Sequence, residues 1–146
     1  MTPLLSTRHS WRLFFNEVPL PPPLPSAADV VRVSMGLGMA TLDTMIDSGH
    51  AVGPALCCPA HRQLLVPVRS GTLRSWMAAH SVCDAGPSVK CSPQALRATC
   101  HRFWMAPPDP LASPVTDAAM LHDGLSRMRA RMLHAAQPSA WGMCRA

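Results

Sequence analysis

Two short apolar runs on either side of a tight polar break place the strongest constraint on this fold. The runs cover residues 52–58 and 64–68, and the break contains Pro59, Ala60, His61 and Arg62. Apolar runs of this length around a short break are typical of a β-hairpin. We therefore predict that residues 53–58 pair with residues 63–68 at the centre of a small sheet.

Further elements follow from periodicity and capping residues. The β-branched run at 29–34 predicts a strand, the Gly-Leu-Gly at 36–38 a turn, and residues 39–48 a helix. Residues 88–92 predict a short strand, 92–99 one or two helical turns, and 101–105 a strand that ends before Pro107 and Pro108. Thr116 is predicted to cap a helix that lies on the sheet through an apolar stripe of Ala118, Leu121, Leu125, Met128 and Met132.

The chain length and these elements predict one α+β domain. A chain of 146 residues has room for a single core. We expect a small mixed sheet of four or five strands with two main helices packed on it, within residues 26–135. Residues 1–25 end in a proline-rich run that favours an extended spacer, and residues 136–146 contain the helix-breaking Pro138, so both ends are predicted to be disordered tails.

Charge and hydropathy limit the classes of partner. The net charge is +5, yet no run of five consecutive basic residues occurs. A basic chain can contact nucleic acid. The candidate contact residues are Arg102, Arg127, Arg129 and Arg131. Cations near a helix end also complement its dipole, which is the competing interpretation of the last three. No apolar run is long enough to cross a bilayer or to form a signal peptide, so we expect a cytoplasmic protein without a membrane partner.

Cysteine and histidine supply a second set of candidates. Six cysteines among 146 residues fall below the roughly 8–10% that marks a disulfide scaffold, and we expect them to be reduced. Thiolates and imidazoles are zinc ligands. The first candidates are Cys58, His61, Cys83 and Cys91. Against a site, there is no Cys-x-x-Cys, and Cys57 and Cys58 on a strand point to opposite faces. Small buried hydrophobic residues are the competing interpretation.

Signatures of catalysis are few. Two-metal phosphoryl transfer requires several converging acids, but Asp29 has Val31 where a paired acid would stand. No Gly-x-Ser-x-Gly occurs. The residues therefore favour a non-enzymatic protein without a cofactor.

The order of several short motifs carries a family resemblance. The motifs are Asp-Val-Val-Arg-Val at 29–33, Val-Gly-Pro-Ala-Leu at 52–56, Leu-Val-Pro-Val at 65–68, Ser-Gly-Thr at 70–72 with Trp76, Arg-Phe-Trp-Met-Ala-Pro-Pro-Asp at 102–109, and Thr-Asp at 116–117. This order resembles short uncharacterised actinobacterial proteins and, more distantly, part of the N-terminal domain of bifunctional DNA primase/polymerases. The resemblance implies a small mixed sheet with packed helices. The polymerase activity does not carry over, because the paired acid is missing.

Two functions are consistent with these observations. The first is a non-enzymatic cytoplasmic accessory or binding module associated with nucleic acid, a degenerate relative of the primase/polymerase domain. The alternative is a Cys/His metal-binding or redox protein with zinc as its metal. Neither the residues nor the resemblance identifies a protein partner.

Overall fold

A six-stranded antiparallel sheet with two helices on one face forms the domain. The computed structural model describes residues 9–15, 28–85, 100–107 and 113–136. The elements in chain order are β1 (Arg12–Phe14), β2 (Ala28–Ser34), α1 (Met35–Asp47), β3 (Ala55–Cys58), β4 (Gln63–Arg69), a 3₁₀-helix (Thr72–Ser75), β5 (Ser81–Asp84), β6 (Phe103–Ala106) and α2 (Ala118–Ala136). The strand order is β1-β6-β3-β4-β2-β5. The α+β class is confirmed, with six strands in place of the four or five expected.

The predicted hairpin lies at the centre of this sheet. Strands β3 and β4 are antiparallel, with Leu56 opposite Leu65 and Cys58 opposite Gln63. The amide of Arg62 donates to the carbonyl of Pro59, and Arg62 has a φ of 51°. This left-handed residue closes the turn, so the polar break of the sequence becomes the loop between two buried strands.

Helix α1 begins earlier than its sequence pattern predicts. It starts at Met35, so the Gly-Leu-Gly of residues 36–38 lies inside the helix and the predicted turn there is wrong. A Cβ at Gly38 would lie 2.7 Å from Cδ2 of Leu64 and 2.9 Å from Cγ1 of Val33. Gly38 therefore lets the helix approach the sheet closely. In the sequence, a glycine required by packing has the same pattern as a glycine required by a turn.

Helix α2 packs mainly against α1. The prediction that it lies directly on the sheet is therefore wrong. A Cβ at Gly124 would lie 2.9 Å from Cγ2 of Thr41, so this glycine lets the two helices approach. Leu121 and Leu125 of the predicted stripe are fully buried, whereas Met132 is 41% exposed. Ala118 and Met128 pack against the same core, so the stripe joins it from Ala118 to Met128, and Met132 is left exposed.

The cap of α2 is Asp117, not the predicted Thr116. The carboxylate of Asp117 accepts a hydrogen bond from the amide of Met120, whereas the hydroxyl of Thr116 accepts one from the amide of Gly53. Thr116 is buried and connects the start of α2 to the segment before β3. Both residues are good N-caps, and tertiary contact decides between them.

The sequence pattern does not predict two of the six strands. Strand β1 lies within residues 1–25, predicted as a tail, and pairs with β6. Strand β5 pairs with β2 at the other end of the sheet. Both have three or four residues, too few to show a period. The predicted elements at 88–92 and 92–99 and the tail at 137–146 lie outside the described residues. No described helix is long and apolar enough to cross a membrane.

The sheet separates two apolar clusters. The main core lies between the sheet and the helices and includes Val31, Leu64 and Met105. Alternate residues on the opposite face form a second cluster of Val30, Leu56, Cys58, Leu65 and Trp104, against which Phe14 and Cys100 pack. The candidate site belongs to this second face.

Candidate metal centre

Two sulfur atoms converge on one imidazole nitrogen at the end of the central hairpin. The Sγ of Cys58 lies 3.2 Å from Nδ1 of His61, and the Sγ of Cys100 lies 3.4 Å from the same atom. The three donor atoms all lie within 4.8 Å of one another. Cys58 is buried, and the other two residues are half-buried. A soft donor set therefore meets at one point beside an apolar cluster.

The hairpin turn places His61 in this group. Cys58 is the last residue of β3, and the loop returns the chain so that His61 stands beside it. The carbonyl of Arg62 accepts a hydrogen bond of 2.9 Å from the amide of Met35, at the start of α1. This bond anchors the backbone at the end of the loop, directly after His61.

Cys100 reaches the group through the neighbouring strand. Strand β6 pairs antiparallel with β3, with Cys57 opposite Phe103, so the ladder points Cys58 toward the residues before β6. There the amide of Arg102 donates to the carbonyl of Cys100 at 2.9 Å, which folds the segment back. The third donor thus comes from a segment 39 residues away from His61 in the chain.

The spacing of the donors suits a tetrahedral metal. Zinc bonds of about 2.3 Å to sulfur and about 2.0–2.1 Å to nitrogen hold the two atoms about 3.5 Å apart at tetrahedral angles. The observed distances of 3.2 and 3.4 Å are close to that separation. The group supplies three ligands, which leaves one position of a four-coordinate zinc for a donor outside this set, a water molecule included.

Hydrogen bonding alone accounts less well for the arrangement. A neutral imidazole nitrogen has either one lone pair or one proton, so Nδ1 makes one well-aligned hydrogen bond. Two sulfurs lie within reach of that one atom. A metal ion bonds to all three donor atoms at once, whereas Nδ1 makes a well-aligned hydrogen bond with one of the two sulfurs.

Two of the four predicted zinc ligands, Cys58 and His61, are brought together. Cys83 lies on β5, separated from β3 by β4 and β2, and it belongs to the core on the helix-covered face. It is therefore not part of the group. Cys91 lies outside the described residues. Cys100, which the sequence did not rank among the ligands, takes the third position.

Strand alternation places Cys57 and Cys58 on opposite faces of the sheet, so that only Cys58 of this pair joins the candidate group. Cys57 points into the helix-covered core, where its Sγ contacts Sδ of Met105 at 2.9 Å. Burial, and secondly the neighbouring Cys58, raises the pKa of Cys57 to about 12. Burial, followed by Asp29 and Asp84, raises the pKa of Cys83 to about 11. Both thiols stay protonated at neutral pH, whereas a cysteine that binds a metal does so as the deprotonated thiolate.

The four candidate arginines are divided over the surface. Arg127 and Arg131 are exposed, one turn apart on α2, and line the same groove between α2 and α1. Arg129 is half-buried, and its helical position directs it away from that pair. Arg102 precedes β6, beside Cys100. Only Arg127 and Arg131 share a surface.

A larger open cavity of about 750 Å³ lies beside the start of α2. Three of its polar lining groups hold the chain's own backbone: Thr116 and Asp117 as described above, and His122, whose Nε2 accepts from the amide of Met77 at 3.4 Å. The edge of Trp76 also contacts His122, with 5.1 Å between ring centroids. These groups stabilise the fold around the cavity.

Asp29 has a structural role near this cavity. Its Oδ2 accepts hydrogen bonds of 3.0 Å from the amides of Gly71 and Leu73, at the start of the 3₁₀-helix. Gly71 has a φ of 94°, so the turn needs glycine there. Asp29 is buried, and it caps this turn.

Comparisons of the chain with protein-family models, with curated proteins and with solved structures found no match. The resemblance to primase/polymerase domains stays a prediction.

Proposed function

We propose that this chain is a metal-binding α+β module that holds zinc through Cys58, His61 and Cys100. The observation that carries the proposal is the approach of both sulfurs to Nδ1 of His61, at 3.2 and 3.4 Å. Thiolate and imidazole together are typical zinc ligands, and an apolar setting strengthens their bonds to a cation because it lowers the local dielectric.

The bound ion would cross-link two parts of the sheet. Cys58 and His61 belong to the central hairpin, whereas Cys100 belongs to the segment that enters β6. Metal binding therefore stabilises the pairing of β3 with β6 as well as the hairpin loop. Because a ligand that binds only the folded state raises its stability, zinc and folding are coupled.

Zinc titration in competition with a chromogenic chelator tests this function. The reduced full-length protein should bind one equivalent of zinc. His61→Ala and Cys100→Ser should each weaken the affinity at least tenfold, because each removes one of three described donors. Cys83→Ser is the matched control and should bind as the unsubstituted protein does. Absence of stoichiometric zinc, or equal affinity in all four proteins, would refute the proposal.

A second candidate function is contact with nucleic acid through α2. From Gly124 to its end this helix carries three arginines and a histidine and no acidic residue. Arg127 and Arg131 are exposed on one side of it. Exposed cations at one turn's spacing favour phosphate contact.

A further inference from the structure

We propose that Cys58 and Cys100 also form a redox-active dithiol, which exchanges with a low-molecular-mass disulfide and thereby releases the bound zinc. This inference rests on the proposed function, because it concerns the same two sulfurs. It adds a reaction and a class of reactant, a small organic disulfide. The supporting observations are the proximity of the two sulfurs, their unequal exposure and the separation of the other described cysteines.

The two sulfurs are close enough to react with each other. They lie within 4.8 Å, whereas a disulfide bond is about 2.05 Å long, so the two sulfurs must approach each other before the bond forms. Cys100 belongs to an irregular segment rather than to a strand, so its backbone is not held in a strand ladder. The second sulfur therefore captures a mixed disulfide formed on the first.

Unequal exposure sets the order of the steps. Cys58 is fully buried, whereas Cys100 is half-buried and thus meets a dissolved disulfide first. The thiolate of Cys100 attacks one sulfur of the small disulfide, forms a mixed disulfide and releases one small thiolate. The thiolate of Cys58 then attacks the Cys100 sulfur, forms the Cys58–Cys100 bond and releases the second small thiolate.

The reaction balances and removes the metal ligands. The two cysteine sulfurs lose two electrons, and the small disulfide gains two as it becomes two thiolates. Two anionic donors of the zinc become one neutral disulfide, which is a poor ligand. His61 alone remains of the described donors, so the ion dissociates.

The fold keeps competing thiols apart. Cys57 is the chain neighbour of Cys58, but strand alternation places its sulfur on the other face of the sheet. Cys83 is buried on that face too. Among the described residues, Cys58 and Cys100 are the two cysteines that belong to one group.

The test uses the reduced, zinc-loaded full chain and oxidised glutathione. Zinc release is followed with a chromogenic chelator, and disulfides are located by peptide mapping without reduction. We expect one equivalent of zinc released, two equivalents of glutathione formed and one peptide that links Cys58 to Cys100. Cys83→Ser should behave identically. Cys58→Ser, which lacks the proposed resolving thiol, should accumulate glutathione on Cys100.

The outcomes separate the two proposals. A reduced protein that binds no zinc would refute the proposed function, and with it the metal release. A protein that binds zinc but keeps it under oxidised glutathione would overturn the exchange reaction alone. A disulfide that joins Cys100 to Cys91 or Cys144 would also overturn it. The double variant Cys91→Ser/Cys144→Ser, which retains both reacting thiols, should still release one equivalent.

Discussion

Cys58 Sγ lies 3.2 Å from Nδ1 of His61, three residues further along the chain. The pair spans the turn of the central hairpin, so a Cys-x-x-His spacing becomes a contact as soon as β3 and β4 pair. Formation of the hairpin thus assembles two donors of the site. The third donor arrives when β6 joins β3.

Alanine substitution at the two glycines of the Gly-Leu-Gly segment should change the free energy of unfolding in opposite directions. A Cβ at Gly38 would meet Leu64 and Val33 at under 3 Å, whereas a Cβ at Gly36 would meet nothing within 4 Å. We expect Gly38→Ala to lower the free energy of unfolding by about 1–3 kcal/mol through overpacking. Gly36→Ala should raise it by about 0.5–1 kcal/mol through helix propensity. Urea denaturation measures both, and equal effects would contradict the packing role of Gly38.

Removal of the Asp29 carboxylate should destabilise the turn that follows β4. Its Oδ2 accepts from two amides, those of Gly71 and Leu73. We expect Asp29→Ala to lower the free energy of unfolding by about 1–3 kcal/mol, because both donors lose their partner. Asp123→Ala, on an exposed part of α2, is the control and should change it by less than about 0.5 kcal/mol. If the two variants were equally stable, the capping role would be wrong.

The buried thiol of Cys57 predicts a loss of stability at alkaline pH. Burial raises its pKa from 9.0 to about 12 in the folded protein. Above pH 9 the unfolded chain loses a proton that the folded chain keeps, so the free energy of unfolding decreases as pH rises toward 12. The slope contributed by this thiol is about 1.4 kcal/mol per pH unit. The effect is absent below the unfolded pKa, where both states are protonated.

Denaturation of the reduced, metal-free protein between pH 8 and 10.5 measures this slope. Cys57→Ala should give a flatter profile than the unsubstituted protein, whatever its baseline stability. Cys83→Ala should flatten the profile too, because the pKa of Cys83 is raised in the same direction. Parallel profiles in all three proteins would show that neither thiol is held protonated by the fold.

Contact between α2 and nucleic acid predicts a salt-dependent affinity for DNA. If Arg127 and Arg131 each neutralise one phosphate, Arg127→Gln/Arg131→Gln should weaken binding and reduce the slope of log affinity against log salt by about 2. Arg74→Gln, on the distant 3₁₀-helix, should leave the slope unchanged. Absence of DNA binding even at low salt would remove this candidate function.

The sequence predicts the centre of the fold better than its edges. The β3–β4 hairpin, β2, β6 and α2 are confirmed. Apolar or β-branched runs mark the hairpin and β2, Pro107 and Pro108 mark the end of β6, and a helical period marks α2. The three-residue β1 and four-residue β5 are held by pairing with β6 and β2, a long-range cause that no local pattern reveals. The turn predicted at residues 36–38 is wrong for the same reason. Gly38 is required by a close tertiary approach to Leu64, which no local pattern reveals.

Two of the three residues in the candidate group, Cys58 and His61, are predicted from the sequence. Cys58 and His61 are close in sequence, and the hairpin alone brings them together. Cys100 requires the strand order, in which β6 lies beside β3 rather than beside a sequence neighbour. In the sequence, alternation along β3 argues against a site, yet in the structure it places Cys58 in the group and Cys57 in the core.

The absorption spectrum of the cobalt-loaded protein tests the central claim most directly, because cobalt(II) replaces zinc and its thiolate charge-transfer band reports bound sulfurs. We predict a band of two-thiolate intensity with tetrahedral d–d bands. The charge-transfer intensity should halve in Cys58→Ser and in Cys100→Ser, vanish in the double variant and stay unchanged in Cys83→Ser. A band that is absent from the unsubstituted protein, or that survives in the double variant, would contradict the assignment of these two cysteines as metal ligands.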